Sequence, residues 1–353
     1  MDGLGGRTGC VPETELSVAW MANTASALTA PNDAAPETMG DFLAAWLAHM
    51  RGRVRRVTWE GYEVLIRRHV MPSLGHIAFG ELSPLQLQQL YAHLLAGSEE
   101  APALSAGSVL NLHLVLTQAL SQAVRWQLLV ANPATGAQPP RPRRAPRLVV
   151  DPELAQRLLD ATAGSVYELP CALAVATGMR RGEVLGLRWS DVSEDFSHLQ
   201  VLRSLQPTQL GLVLEAPKTQ RSRRSVLLPA FMHDYLRRQR DQQRSRREEL
   251  GERWQDTGLV VDRGDGGPLN PDTLSTGWAR FLRQRGLPRV RFHDLRHAHA
   301  TLLLLQGVHP KIVSERLGHA SVGITLDTYS HVLPSMQSQA ADAFDSLFGT
   351  GPG

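Results

Sequence analysis

The chain has 353 residues and carries 37 basic against 34 acidic side chains, a formal net charge of +3. This length exceeds one ordinary hydrophobic core and predicts two domains with terminal extensions. The 42% apolar content excludes a disordered chain, and Cys10 and Cys171, distant and in no metal-like spacing, argue against a disulfide framework. We find no membrane-span or signal-peptide pattern, so we expect a cytoplasmic protein with no membrane partner.

Positive charge is concentrated after the first 36 residues. Residues 1–36 hold four acidic side chains against Arg7, a net −3, which leaves +6 for the remainder. Basic clusters occur within 51–56, 141–147 and 218–247, as a polyanion-binding surface requires. Each cluster alone is also compatible with a solvated face, and that interpretation is favoured for the helical run Arg237–Arg247.

The first half of the chain is predicted to be helical after a mobile leader. Residues 1–36 are rich in Ala, Thr, Gly and Pro without sustained periodicity, which predicts the leader. From residue 38 the apolar residues recur with a helical period, and the helix over 58–69 is expected to stop at Pro72 and Gly75. Further helices are predicted over 84–95 and 106–126. Residues 37–137 therefore form the first predicted domain.

Residues 138–147 predict a linker. Four prolines stiffen this segment into an extended conformation, and Arg141, Arg143, Arg144 and Arg147 give it positive charge. Such a segment is suited to crossing a phosphate backbone. The domain boundary is therefore placed here.

The second half, residues 148–333, is predicted to combine helices with a small sheet. Helices over 152–161 and 166–176 precede short β-rich segments at His198–Leu202, Gly211–Glu215 and Arg224–Leu228. Helices resume at 272–285. Residues 334–353 form a tail whose helical stripe consists of Met336, Ala340, Phe344, Leu347 and Phe348. The predicted fold class is thus mainly α, with a helical domain followed by an α-rich domain that holds a small antiparallel β-sheet.

An arginine in a turn-to-helix context is the first candidate for chemistry. In Thr177-Gly-Met-Arg-Arg-Gly-Glu183, the glycine permits an unusual turn before Arg180, and Glu183 stands where it could hold the guanidinium of Arg180. An ordinary loop ion pair is the alternative interpretation. The candidate residues later in the sequence favour a functional role for this motif over an ordinary ion pair.

Lys218 is the second candidate, because the chain uses arginine almost everywhere else. Of the 37 basic side chains only Lys218 and Lys311 are lysine. A lysine on a hairpin is usually a solvated charge, but lysine, unlike arginine, can release a proton to a leaving oxygen. Lys218 is therefore a candidate general acid.

Histidine, arginine and tyrosine complete the candidate set. His293 and Arg296 share one helix face at i, i+3, His319 follows the break at Gly318, and Tyr329 comes ten residues later. A lone helical tyrosine is more often part of a core. Two arginines, a lysine, two histidines and a tyrosine together describe a phosphate-handling site.

A helical zinc site is a rival interpretation of the same segment. His293 and His297 have the i, i+4 spacing of zinc ligands, with Asp294 after the first histidine. Against it, Arg296 would place a positive charge beside the metal, and the lysine and tyrosine motifs would have no role.

Over residues 37–335 the sequence resembles the tyrosine recombinase, or phage integrase, family. The resemblance rests on Thr177-Gly-Met-Arg180, His293-Asp-Leu-Arg296-His, Leu317-Gly-His319 and Thr325-Leu-Asp-Thr-Tyr329-Ser-His. The helical first half looks like the core DNA-binding domain of such integrases. The second half would be the catalytic domain, and the resemblance implies that the two domains close around DNA as a clamp.

The resemblance implies a role for each candidate residue. Tyr329 would attack a phosphodiester and form a 3′-phosphotyrosyl link. Arg180 and Arg296 would clamp the non-bridging oxygens, and Glu183 would hold Arg180. His293 would share proton transfer at the nucleophile and brace the phosphate. Lys218 would protonate the leaving 5′-oxygen, and His319 would hydrogen-bond a phosphate oxygen.

The resemblance also implies the partners. Double-stranded DNA would be the substrate, four protomers would assemble on it, and the free protein would be a monomer. No cofactor, metal or ATP is expected. The basic clusters supply the candidate DNA contacts: Arg53, Arg55, Arg56, Arg143, Arg144, Arg221 and Arg223.

Integration or excision of a phage or mobile element is the predicted role. The segment from Gly318 to Pro334 looks more like the integrases of mobile elements than like chromosome-dimer resolvases, which are the alternative within the family. A catalytically decayed DNA-binding protein and a type IB topoisomerase, which uses the same chemistry, are further alternatives.

Overall fold

The structure is a computed structural model that describes residues 36–99, 101–142, 148–216, 222–329 and 335–348. Contacts divide the chain into two units, Met1–Ala145 and Pro146–Gly353. The predicted leader up to residue 35 lies outside the described residues, and so do Arg143, Arg144, Lys218 and Arg221. Among the helices of these ranges, none combines the length and the apolar character needed to cross a membrane.

The amino-terminal unit is built of helices, as predicted. Two of them begin with capping boxes, in which Thr38 and Ser83 accept hydrogen bonds from the backbone N–H groups of Asp41 and Gln86. The helices are α1 (Met39–Met50), α2 (Arg56–Leu65), α3 (Met71–Leu74), α4 (Pro84–Ala96) and α5 (Ala106–Arg125).

The predicted helix stop at Pro72 is wrong, whereas the stop predicted at Gly75 is confirmed, because the helical segment ends at Leu74 with Gly75 as its C-cap. A π-helical turn, Ile66–Val70, joins α2 to α3, and the N–H of Met71 donates to the carbonyl of Ile66, five residues back. Proline lacks an N–H and its ring clashes within a regular α-helix. The π turn starts a new helical segment in which Pro72 lies in the first turn, where its missing N–H costs little.

Aromatic packing holds the amino-terminal core together. Phe42 of α1 stacks on Phe79 with ring centroids 4.5 Å apart, and the fully buried Trp46 lies 5.4 Å from the ring of Tyr62. Full burial of a side chain such as Phe42 contributes about 1.5–3 kcal/mol. The aromatic side chains of α1 therefore contribute strongly to the stability of the amino-terminal unit.

The carboxy-terminal unit begins with helices, continues with short strands and ends with helices. Its elements are α6 (Pro152–Thr162), α7 (Glu168–Thr177), α8 (Arg181–Leu185), β1 (His198–Val201), β2 (Ser204–Thr208), β3 (Gly211–Glu215), β4 (Arg224–Leu227), α9 (Phe231–Leu250), α10 (Pro271–Gln284), α11 (Asp294–Leu305), α12 (Pro310–Leu317), α13 (Val322–Tyr329) and α14 (Ser335–Phe348).

The strands form two small antiparallel pairs rather than the single sheet predicted. β1 pairs with β4, with Leu199 opposite Val226, and β2 pairs with β3, with Leu205 opposite Leu214. The sequence did not predict β2, because Pro207 argues against a strand interior. A two-stranded pair tolerates this proline, since each strand has an unpaired outer edge.

Helix α7 is the buried centre of the unit, with α6, α9 and α11 packed around it. It ends at Gly178, whose φ of +66° lies in the left-handed region. A Cβ on Gly178 would come within 2.6 Å of His299 Cδ2 and 2.7 Å of Leu317 Cδ2. Gly178 therefore allows α7, α11 and α12 to meet closely.

Alanine at Gly178 is expected to destabilise the protein more than alanine at Gly164. Gly164 has a similar φ of +69° but nothing within 4 Å of its Cβ position, so Gly164→Ala costs only the left-handed strain, about 1–2 kcal/mol. Gly178→Ala adds an overpacking cost of about 1–3 kcal/mol. Urea unfolding of both variants measures the difference, and equal losses of stability would contradict the close packing at Gly178.

Candidate active site

Arg296, near the start of α11, lies at the centre of the candidate site. Its side chain is buried, and its two terminal nitrogens donate to the carbonyls of Gly178 at 2.6 Å and Leu317 at 2.7 Å. Carbonyls at helix C-termini have no partner within the helix and carry partial negative charge. Arg296 therefore satisfies the ends of α7 and α12 at once.

The pKa of Arg296 is lowered to about 9, first by burial and then by the positive charge of Arg180. The side chain stays cationic at neutral pH. A buried cation with a second cation nearby favours the binding of an anion.

Glu183 links the two other arginines of the site. This carboxylate is 3% exposed. Arg180 donates to its Oε1 at 2.8 Å, and Arg224 donates to its Oε2 at 2.9 Å. The backbone N–H of Arg180 also donates to Oε2 at 2.9 Å. The structure therefore contains the predicted contact between Glu183 and Arg180.

The net pKa of Glu183 is below its ordinary value. Burial acts to raise this pKa, but the charge and hydrogen bonds of Arg224 and the charge of Arg180 outweigh the burial. Glu183 is thus ionised at neutral pH and holds both guanidinium groups in fixed positions.

Arg224 belongs to this cluster, although sequence reasoning did not assign it to the site. It lies on β4, and its side chain is only 6% exposed. Its neighbour Arg223, a predicted DNA contact, is exposed. Arg224 is the first residue of β4, whereas Arg223 precedes the strand. Successive residues of a strand point to opposite faces, so alternating burial after residue 223 was the available signal. The sequence did not say which of the two arginines was buried.

His319 follows the left-handed Gly318 at the end of α12. Its Nδ1 lies 2.8 Å from Oγ1 of the buried Thr325. Burial, followed by the charges of Arg296 and Arg180, lowers the pKa of His319 to about 4. The ring is therefore neutral at pH 7, and if Thr325 donates to Nδ1, the Nε2–H of His319 is a hydrogen-bond donor.

His293 precedes α11 and is exposed to solvent. Its ring centroid lies 5.2 Å from that of His297, one helical turn further on. Desolvation by the surrounding protein, then the charge of Arg296, lower the pKa of His293 below its usual value. His293 is thus at the solvent-facing border of the cluster.

Tyr329, the predicted nucleophile, is 2% exposed and packs in a small cluster with Ala300, Leu304 and Leu317. Its hydroxyl oxygen lies 2.9 Å from Nδ1 of His297. Its proximity to Arg296 acts to raise the pKa of that arginine. The tyrosine hydroxyl therefore shares the electrostatic environment of the arginines. The sequence alone indicated no role for His297 other than that of a possible zinc ligand.

The predicted DNA contacts are only partly described. Arg53 is exposed, Arg55 is the N-cap of α2, and Arg56 donates to Glu60 at 2.9 Å. In the described ranges, no group of three or more His, Cys, Asp or Glu side chains is arranged to hold a metal ion.

Comparison with known families identifies the chain. A model of the phage integrase family matches residues 149–336, which is more than half of the sequence, and a model of the N-terminal SAM-like domain of phage integrases matches residues 38–95. The chain belongs to the phage integrase family. Its function is therefore site-specific recombination, in which DNA is cleaved and rejoined. Membership decides against the zinc hydrolase alternative.

Relatives of this integrase-family chain match most of its length. A XerC-like tyrosine recombinase of Caldanaerobacter subterraneus subsp. tengcongensis is 27% identical over 331 residues, 88% of this chain and 83% of that protein. The ICEBs1 integrase of Bacillus subtilis is 26% identical over 291 residues, 82% of this chain and 77% of that protein.

Solved structures of integrases share the fold. The Tn1549 transposon integrase in complex with transposon right end DNA has a TM-score of 0.71 at 19% identity and covers 89% of this chain and 100% of that one. A lambda integrase dimer bound to a COC′ core site has a TM-score of 0.58 at 18% identity and covers 81% of this chain and 97% of that one. The predicted mainly α fold class is thereby confirmed.

Removal of the Glu183 carboxylate is expected to destabilise the fold strongly. Glu183→Ala leaves the buried Arg224 without this partner, a change that typically costs about 3–5 kcal/mol. Because the folded-state pKa of Glu183 is depressed, its contribution is present above the unfolded pKa of about 4.3 and lost as pH falls through the folded pKa.

Urea unfolding between neutral and acidic pH tests this linkage. The unfolding free energy of Glu183→Gln is expected to decrease less on acidification than that of the parent protein. Glu153→Gln, at an exposed position of α6, should show the same dependence of unfolding free energy on pH as the parent. Identical acid slopes for Glu183→Gln and the parent would mean that Glu183 does not contribute as described.

Proposed function

We propose that this recombinase integrates or excises a phage or other mobile element, with Tyr329 as its nucleophile. The observation that carries the proposal is the contact of the Tyr329 hydroxyl with Nδ1 of His297, the residue that follows the buried, cationic Arg296. A phosphodiester needs cations for its oxygens and a nucleophile in line with its leaving group. The integrase role is also supported by the ICEBs1 and mycobacteriophage L5 relatives, both named integrases.

The proposed reaction keeps the bond energy of the DNA backbone. The Tyr329 oxygen attacks the phosphorus, the bond to the 5′-oxygen breaks, and a 3′-phosphotyrosyl link remains until a 5′-hydroxyl reverses the step. Lys218 is the proposed acid for the leaving oxygen. No ATP, metal or other cofactor takes part in this proposal.

Arg180 and Arg296 are the proposed ligands of the non-bridging phosphate oxygens. The two carbonyls that fix Arg296 use two of the five N–H groups of a guanidinium, and Glu183 orients Arg180. A rigid donor fork needs little rearrangement as negative charge grows in the transition state. His319 donates a further hydrogen bond as a neutral ring, and His293 braces the phosphate from the solvent side.

We further propose that the basic residues outside the site bind the DNA backbone while the two domains close on the duplex as a clamp. The residues proposed for this are Arg53, Arg55, Arg56, Arg143, Arg144, Arg221 and Arg223. Contacts of this kind position a duplex without reading its sequence and weaken with salt. The proposed location is the bacterial cytosol, at the nucleoid, where such DNA is found.

Strand exchange between two duplexes requires four active sites, so we propose that four protomers assemble on DNA and that the free protein is a monomer. Helix α14 supports this proposal, because Phe344, Leu347 and Phe348 are 65%, 73% and 76% exposed. An apolar group of this kind is expected to be covered by a partner surface. The tail is our candidate for docking on a neighbouring protomer.

A covalent adduct is the expected result of mixing the protein with its DNA. The probe is a nicked duplex selected from a random-sequence library by binding to the purified chain, incubated in EDTA and then denatured. Wild type should give a denaturant-resistant adduct and Tyr329→Phe none, because phenylalanine has no hydroxyl to attack phosphorus. If wild type binds the duplex tightly without an adduct, the catalytically decayed alternative is favoured.

Replacing Phe344 and Phe348 by serine is expected to weaken assembly but not the binding of one protomer. Burial of two phenylalanines contributes about 3 kcal/mol, which corresponds to about a 100-fold higher concentration for filling paired sites. Gel mobility on duplexes with one and two binding sites measures this. Asp345→Ser, on the same helix, is the control, and unchanged cooperativity in the double variant would contradict docking through the tail.

A further inference from the structure

The hydrogen-bond partner of the Tyr329 hydroxyl is His297, not His293, for which the family resemblance implies a share in proton transfer at the nucleophile. The hydroxyl oxygen lies 2.9 Å from Nδ1 of His297. Their ring centroids are 5.8 Å apart at 56°, so the contact is made at the ring edge rather than by stacking. A tyrosine hydroxyl can donate at this distance to an unprotonated ring nitrogen.

The position of His297 is fixed by its neighbour. Arg296 is bound to the carbonyls of Gly178 and Leu317, and this anchors the first turn of α11 against the ends of α7 and α12. His297 follows on the same turn. The proposed proton acceptor and the proposed phosphate ligand therefore belong to one rigid segment, as a reaction with strict geometry requires.

His297 is also suited to exchange protons. It is partly buried, whereas Tyr329 is almost completely buried, so His297 is the more accessible of the two residues to solvent. The ring of His293 stands next to it at 5.2 Å on the outer side of the cluster. A neutral imidazole is the side chain best suited to take and return a proton near neutral pH.

We propose that His297 orients the Tyr329 hydroxyl and accepts its proton during DNA cleavage, an inference that rests on the proposed function. As the Tyr329 oxygen bonds to phosphorus, its proton passes to Nδ1 of His297 and the bond from phosphorus to the 5′-oxygen breaks. The 5′-oxygen takes a proton from the acid, proposed as Lys218. In religation each proton returns, so His297 ends neutral.

Cleavage of the selected nicked duplex by His297→Ala and His297→Asn tests the proposal. His297→Ala should bind the duplex like wild type but form the adduct about 100-fold to 10,000-fold more slowly, the range for loss of a general base. Added imidazole should increase the rate of His297→Ala and leave that of wild type unchanged. His297→Asn can hydrogen-bond the hydroxyl but cannot take its proton, so it should remain slow.

A duplex with sulfur in place of the leaving 5′-oxygen separates the two proton transfers. A thiolate leaves without protonation, so this substrate should restore Lys218→Ala but not His297→Ala. His233→Ala, on α9 in the same unit, is the control and should cleave both substrates at the wild-type rate. Thermal unfolding of each variant checks its folding.

The outcomes distinguish this inference from the function on which it rests. No adduct with wild type would overturn the proposed function and the inference together. An active wild type with equally active His297→Ala would overturn the inference alone. Recovery of His297→Asn to the wild-type rate, or of His297→Ala by the sulfur substrate, would also overturn it, because His297 would then only orient the hydroxyl or would act at the leaving group.

Discussion

The guanidinium of Arg296 joins the carboxy-terminal ends of two helices, and the geometry of the site depends on this connection. Its donors satisfy the carbonyls of Gly178 after α7 and Leu317 in α12. Left-handed glycines lie at both ends: Gly178 comes two residues before Arg180, and Gly318 comes directly before His319. The same folding event thus completes two helices and places the polar side chains of the site around one buried cation.

Positive charge in this cluster exceeds what its internal partners neutralise. Glu183 pairs with both Arg180 and Arg224, and the charge of Arg180 contributes to the lowered pKa of Arg296. The same arginines help to keep His319 neutral. A bound phosphodiester, which is an anion, would reduce the repulsion among these arginines. The repulsion that opposes folding would therefore favour binding of the anion. Rigid, pre-oriented cations are also what a developing phosphorane charge requires.

Much of the fold and of the candidate site could be predicted from local patterns. The capping box at Thr38, the amphipathic periods of the helices and the i, i+3 relation of Arg180 and Glu183 act within a few residues. The errors arose where tertiary context overrode a local rule. Pro72 did not end its helix because a π turn accommodates it, and Pro207 did not prevent β2 because the strand belongs to a two-stranded pair.

The sequence by itself determined the family and the largely helical organisation, and it supplied the residues that we propose to handle a phosphate, because residue type and spacing carry that information. Only the tertiary structure decided which of two similar nearby residues makes a particular contact. His293 and His297 share a helix face, and the packing of α13 with α12 brings Tyr329 to His297. Arg223 directly precedes β4 and Arg224 is its first residue, and Arg224 is the one that reaches Glu183. Such choices depend on contacts between segments distant in the chain, which no local spacing encodes.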